Sequence, residues 1–161
     1  MQTIFGSGLS FDKGQRLHLL FIPTYLDGND GIIDLPYYDL LTGCDYCVYP
    51  SYYEPWGYTP LESIAFGVPC LTTNLSGFGQ WVTGETGHQP LVSDGVAVIS
   101  RDDNNYDQCV NEIATSITGM ARLSHSDWQQ FASAASALSK KAMWKDFIKH
   151  YIQAYTFANK K

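Results

Sequence analysis

Four short apolar runs, each bounded by proline, glycine or turn chemistry and separated by segments of helical spacing, constrain the fold more than any other feature. Leu17-His-Leu-Leu-Phe-Ile22 stops at Pro23 and Tyr46-Cys-Val-Tyr49 stops at Pro50. Cys70-Leu-Thr-Thr73 follows Pro69, and Gly95-Val-Ala-Val-Ile-Ser100 is the fourth. Runs of this length and character read as buried strands. Between them lie Asp27-Gly-Asn-Asp-Gly31, which is turn chemistry, and Leu35 to Thr42, a short helix with Pro36 in its first turn. A helix over 60–66 is predicted, with Gly67 to cap it and Pro69 to stop its return, and Ser76-Gly-Phe-Gly79 reads as a turn before a short helix near 80–82. From Asn105 onward the pattern is helical. Trp128, Phe131, Ala135 and Leu138 form one apolar face, and Trp144, Phe147, Ile148, Tyr151, Ile152 and Tyr155 form another. Strands alternating with helices predict an α/β fold, a Rossmann-like parallel sheet of about four strands flanked by helices, with helices alone at its C-terminal end. The whole of 1–161 is read as one domain, and the Gly- and Ser-rich stretch 1–16 as a poorly structured start.

Charge narrows the partners. With ten Lys and Arg against 16 Asp and Glu, the net charge is −6, and six of the lysines fall in the last quarter. An acidic chain without a basic stripe is not expected to bind nucleic acid, and the lysine cluster reads as a solvated helix face. A small phosphorylated ligand stays open, because backbone N–H groups at a helix start hold phosphate without basic side chains. No apolar run reaches the length of a membrane helix, and Met1 to Leu9 lacks the layout of a signal peptide, so a soluble, cytoplasmic protein is expected. Cys44-Asp-Tyr-Cys47 has C-x-x-C spacing without a second pair, and with Cys70 and Cys109 it reads as buried free thiols. His18, His88, His125 and His150 show no metal-ligand spacing, and no metal site is expected. Gly77-x-Gly79 lacks the third glycine of a dinucleotide fingerprint.

The stretch Tyr49-Pro-Ser-Tyr-Tyr-Glu-Pro-Trp-Gly-Tyr-Thr-Pro-Leu-Glu62 holds the chemistry. It runs from the end of a predicted strand into a predicted helix, the place where open α/β sheets bind ligands. Gly57, Thr59 and the N–H groups of the helix start suit a pyrophosphate. Glu54 and Glu62 place two carboxylates there, groups that accept hydrogen bonds from sugar hydroxyls and stabilise positive charge in an oxocarbenium-like transition state. Glu62 has a second reading, in which Thr59 is an N-cap, Pro60 the first helical residue and Glu62 the reciprocal member of a capping box. For Glu54 the plain alternative is a solvated loop carboxylate.

This stretch, with Gly67-Val-Pro-Cys-Leu-Thr-Thr-Asn-Leu-Ser-Gly-Phe-Gly79, closely resembles the signature of glycogen synthases of the fungal and animal type, which also occur in some bacteria. The resemblance is strongest over 16–82 and looser beyond. It implies a two-domain Rossmann-like (GT-B) retaining glycosyltransferase, commonly using UDP-glucose and needing no metal, of which this chain is the C-terminal part of the donor domain. By position, it implies that Glu54 contacts the transferring glucose and Glu62 holds the ribose. Gly57, Tyr58 and Thr59 match the loop that cradles the diphosphate, and Tyr37 an aromatic near the uracil, where a packed helix Tyr is the alternative. Ser76, Gly77 and Gly79 match a loop lining the same cleft, where ordinary turn chemistry is the alternative. The implied partners are a nucleotide sugar, a glucan acceptor and an acceptor domain outside this chain. Without that domain and the basic residues that neutralise the leaving diphosphate, the isolated chain is expected to be inactive. Its last amphipathic helix is expected to expose apolar surface, which dimerisation would cover. Two rivals are a related glycosyltransferase with another donor or acceptor, and a non-catalytic glucan-binding or assembly module.

Overall fold

The computed structural model describes residues 18–160, so the predicted loose start at 1–16 lies outside the described residues. The chain divides into two compact units, Met1–Leu40 and Leu41–Lys161. Within the described part of the first unit, Asp27 to Asp34 is a turn closed by its own carboxylates. Asp30 Oδ1 accepts from the N–H groups of Ile32 and Ile33 at 2.9 Å each, and these donors hold the carboxyl below its usual range. Asp27 and Pro36 form an isolated antiparallel bridge. Of the run predicted as a first strand, Leu17 lies outside the described residues and the rest is not a strand. Over 18–22 no strand forms, and Leu20 and Phe21 are exposed. An apolar run becomes a strand only where a neighbouring ladder satisfies its backbone, and among the described residues no such ladder meets 18–22.

The helix α1 spans Tyr37–Leu41, directly after Pro36, whose carbonyl accepts from the Asp39 and Leu40 N–H groups. The second unit then alternates β1 (Cys47–Val48), α2 (Tyr58–Ala65), β2 (Cys70–Thr73), α3 (Gly77–Thr86) and, after a 3₁₀ turn at Val92–Asp94, β3 (Val96–Ile99). Three helices follow: α4 (Tyr106–Met120), α5 (His125–Ser139) and α6 (Trp144–Ala158). The sheet is parallel throughout, in the order β1-β2-β3, with three strands among the described residues where about four were expected. Cys47 pairs with Cys70, Cys70 with Val96 and Thr73 with Ile99.

Every residue of β2 and β3 is buried, as a parallel sheet covered on both faces requires. One face packs Cys70, Val96 and Val98 against Ile64 of α2, Phe78 and Val82 of α3, and Ala135 and Leu138 of α5. The other packs Leu71, Ala97 and Ile99 against Cys109 and Ile113 of α4. Burial pushes the Cys70 thiol well above its ordinary pKa, and Cys44 is raised by burial and by the neighbouring Cys47. Cys44 lies in the turn before β1, where its N–H donates to the Leu41 carbonyl. Among the described residues no helix is long and apolar enough to cross a membrane.

α6 has no buried residue. Phe147 and Ile148 are half-buried, whereas Trp144, Tyr151, Ile152 and Tyr155 of the same predicted apolar face are exposed. The expected exposure of apolar surface on the last helix is therefore present.

Candidate functional site

The carboxyl ends of the three strands release their loops on one edge of the sheet, and the motif residues collect there. From β1 the chain turns at Tyr49, whose N–H donates to the Leu71 carbonyl at 2.8 Å, and continues through 51–57 to α2. This loop is stitched to the start of α3. Glu54 and Ser76 form a parallel bridge, in which Glu54 N–H donates to Leu75 at 3.3 Å and Gly77 N–H donates to Glu54 at 3.1 Å. Phe78 N–H then donates to the Trp56 carbonyl at 2.7 Å. The loop thus has the backbone pairing of a short extra strand, which fixes Glu54 far more tightly than a free surface loop would.

The Glu54 side chain is also held. Ser51 Oγ donates to its Oε2 at 2.8 Å. A Cβ placed on Gly57 would stand 3.3 Å from that same oxygen and 3.2 Å from both Phe78 and Pro60. Gly57 is buried and adopts φ 117°, a left-handed geometry that glycine reaches without steric cost. Its lack of a side chain is what brings the Glu54 carboxylate against the amino end of α2. The solvated-loop alternative for Glu54 does not describe this arrangement.

Gly57, and not Thr59, is the N-cap of α2. The helix begins at Tyr58, two residues ahead of the predicted start, so Thr59 already has helical geometry and the predicted capping box does not form. Glu62 consequently falls in the second turn of α2, half-buried, where a first-turn position was expected. No side chain caps the helix, and Pro60 has no N–H. The donors its first turn presents are therefore Tyr58 and Thr59 N–H, both on exposed residues. Tyr58 itself is 71% exposed.

Ser76, Gly77 and Gly79 belong to a helix start, and the predicted turn followed by a helix near 80–82 gives way to the ten-residue α3. Ser76 is its N-cap. The buried hydroxyl accepts from Gly79 N–H at 2.9 Å, donates to the Thr73 carbonyl at 3.1 Å and lies 3.2 Å from Thr72 Oγ1. The two glycines are there for close approach. A Cβ on Gly77 would come within 2.2 Å of the Pro55 carbonyl oxygen, and one on Gly79 within 2.2 Å of that of Thr73. These three residues build the wall against which the Glu54 loop lies. Tyr37 stands at the first residue of α1, half-buried, with its ring 5.3 Å from that of Tyr38.

Behind the loop, Trp56 meets Phe78 edge-on at 6.2 Å and Phe147 of α6 edge-on at 5.4 Å, with Trp81 at 6.1 Å. Trp56, Tyr58, Leu61, Trp81, Trp144 and Phe147 line part of an open cleft of about 650 Å³. Two other hollows, of about 720 and 670 Å³, hold none of the candidate site residues.

Sequence reasoning missed Ser51, Thr73 and Arg101. Thr73 Oγ1 donates to the Ser51 carbonyl at 2.6 Å, and the Arg101 guanidinium donates to the Pro50 carbonyl while lying 5.0 Å from the centre of the Tyr52 ring. One signal was available for Arg101. It is the only Lys or Arg between Arg16 and Arg122, and it directly follows a predicted strand.

The arrangement unites an oriented carboxylate, a second half-buried carboxylate and an uncapped helix start on the carboxyl edge of a parallel sheet. Comparison with known proteins gives the family. The glycogen synthase family model matches residues 1–161. The chain is 32% identical over 143 residues to glycogen (starch) synthase isoform 1 of Saccharomyces cerevisiae, covering 89% of this chain and 20% of that protein. It is 30% identical over 158 residues to the liver glycogen (starch) synthases of Mus musculus and Homo sapiens, covering 96% of this chain and 22% of each. The chain thus spans about a fifth of the length of these curated relatives.

Proposed function

Because this chain belongs to the glycogen synthase family, we propose that it forms the nucleotide-sugar side of a retaining glucosyltransferase that moves glucose from UDP-glucose to the non-reducing end of an α-1,4-glucan. The observation that supports this best is the Glu54 carboxylate, held by Ser51 and set beside Gly57 at the amino end of α2. In this reading the partial positive charge of α2 and the N–H groups of Tyr58 and Thr59 receive the diphosphate. Glu54 faces the sugar and stabilises the positive charge that develops at its anomeric carbon as the bond to phosphate breaks. Glu62, one turn further along α2, accepts from the ribose hydroxyls. Ser76, Gly77 and Gly79 act through the backbone, by holding the wall behind Glu54.

The reading involves no metal. The rest of the enzyme supplies the acceptor domain, the glucan site and the basic groups that neutralise the leaving diphosphate, and the enzyme works in the cytoplasm. Titration with UDP and, in parallel, ADP tests the donor site, with amide shifts as the readout. UDP is expected to move Gly57, Tyr58 and Thr59 ahead of the rest of the protein. A preference for ADP would change the donor and keep the site. Shifts confined to other regions would contradict the reading.

A further inference from the structure

Among the described residues, the edge that holds Glu54 contains the basic side chain of Arg101, and its contacts are unusual for a surface arginine. Arg101 lies two residues beyond the end of β3. Among the described residues it makes no ion pair, although Asp102 and Asp103 come next in the chain. Its guanidinium instead donates to the Pro50 carbonyl and lies over the Tyr52 ring at 5.0 Å. Its own backbone is fixed as well. Arg101 N–H donates to Asn74 Oδ1 at 2.7 Å, and Asn74 N–H donates to the Ile99 carbonyl at 3.0 Å. Pro50 and Tyr52 are the two neighbours of Ser51, whose carbonyl is tied to Thr73 and whose hydroxyl holds Glu54. The guanidinium grips the segment on both sides of the residue that orients the carboxylate.

We propose that Arg101 is a positioning residue for Glu54, clamping 50–52 to the ends of β2 and β3 so that Ser51 presents its hydroxyl to the carboxylate. This rests on the part proposed above for Glu54. A planar guanidinium can donate to a carbonyl and stack on a ring at once, whereas a lysine ammonium cannot reproduce both contacts. The clamp therefore depends on shape and not on charge alone. A residue that binds the diphosphate would depend chiefly on charge, which gives the two roles opposite signatures.

The test compares Arg101→Ala, Arg101→Lys and Tyr52→Ala in the full-length protein, reading hydrogen exchange and glucosyl transfer side by side. Tyr52 is half exposed, so its truncation leaves the core intact even if an arginine variant folds poorly. Exchange at the Glu54 and Gly77 amides is expected to rise about ten-fold in all three variants, with the Cys70 amide inside the sheet unchanged. The kcat is expected to fall about ten- to hundred-fold in Arg101→Ala, because a small misplacement of a reacting group costs that much, while KM for the nucleotide sugar stays within about three-fold. Arg101→Lys is expected to behave like Arg101→Ala. Unchanged exchange at Glu54 and Gly77 would overturn the clamp. So would a raised KM with kcat retained, or rescue by lysine, since either marks Arg101 as a charge that binds the donor. If Glu54→Gln keeps full kcat while Arg101→Ala loosens the loop, the clamp stands and the part proposed for Glu54 falls.

Discussion

The carboxyl edge of the sheet and the terminal helix α6 are both rich in aromatic residues, yet the chain treats them in opposite ways. At the edge, Phe78 is fully buried, Ser76 satisfies three polar groups with one hydroxyl, and two glycines sit where no side chain fits. On α6 only Phe147 reaches the aromatic cluster under the loop, and Phe157 is 82% exposed. Side-chain pattern identifies a surface that needs a partner. It does not say whether the partner lies within the same chain. At the edge the partners are local loops, so the geometry of Glu54 is set by this chain alone.

That contrast can be broken by substitution, and the largest effects should fall on the sheet. Gly95→Ala places a methyl group 2.3 Å from the Ala135 nitrogen at φ 91°. Strain and backbone clash together should cost about 3 kcal/mol or more, seen as a large fall in the urea midpoint. Phe78→Ala, which empties the centre of one face, should cost about 3–5 kcal/mol in the same experiment. Ser76→Ala removes the cap of α3 and is expected to cost about 1–2 kcal/mol, with faster exchange at the Gly79 amide. Phe157→Ser should sit at the other end, within about 0.5 kcal/mol of the parent, as an exposed substitution without packing does. A loss above 1 kcal/mol there would show that α6 is covered in solution and would remove the contrast.

Much of the second unit was legible because its signals are local. The buried runs at Cys70–Thr73 and Val96–Ile99 are strands, and Gly67 ends α2 where the glycine and the following proline indicated, with Gly67 N–H donating to Ile64. The apolar face of α5 meets the sheet through Ala135 and Leu138. The misreadings share a cause. Leu17–Ile22 has the composition of a strand, but composition does not supply a neighbouring ladder. Ser76-Gly-Phe-Gly79 has the composition of a turn, but its glycines answer to the carbonyls of Pro55 and Thr73, one of them more than twenty residues away. The contacts of Arg101 were hidden for the same reason, since its partners precede it by about fifty residues. In the candidate site, residue types and spacing pointed to Glu54 and to the helix start. The bridge to Ser76 and the Ser51 contact that orient Glu54 appear only once the loops are folded together.

The part proposed for Glu54, a group that acts in the transition state, is tested most directly by the steady-state kinetics of Glu54→Gln in the full-length protein. The substitution keeps the size and the Ser51 contact and removes the charge. The expected result is a fall in kcat of about a hundred- to a thousand-fold, as for loss of one preorganised electrostatic contact, with KM for UDP-glucose little changed. Full turnover by Glu54→Gln would contradict the account, because the carboxylate would then be oriented by the loop without taking part in the reaction.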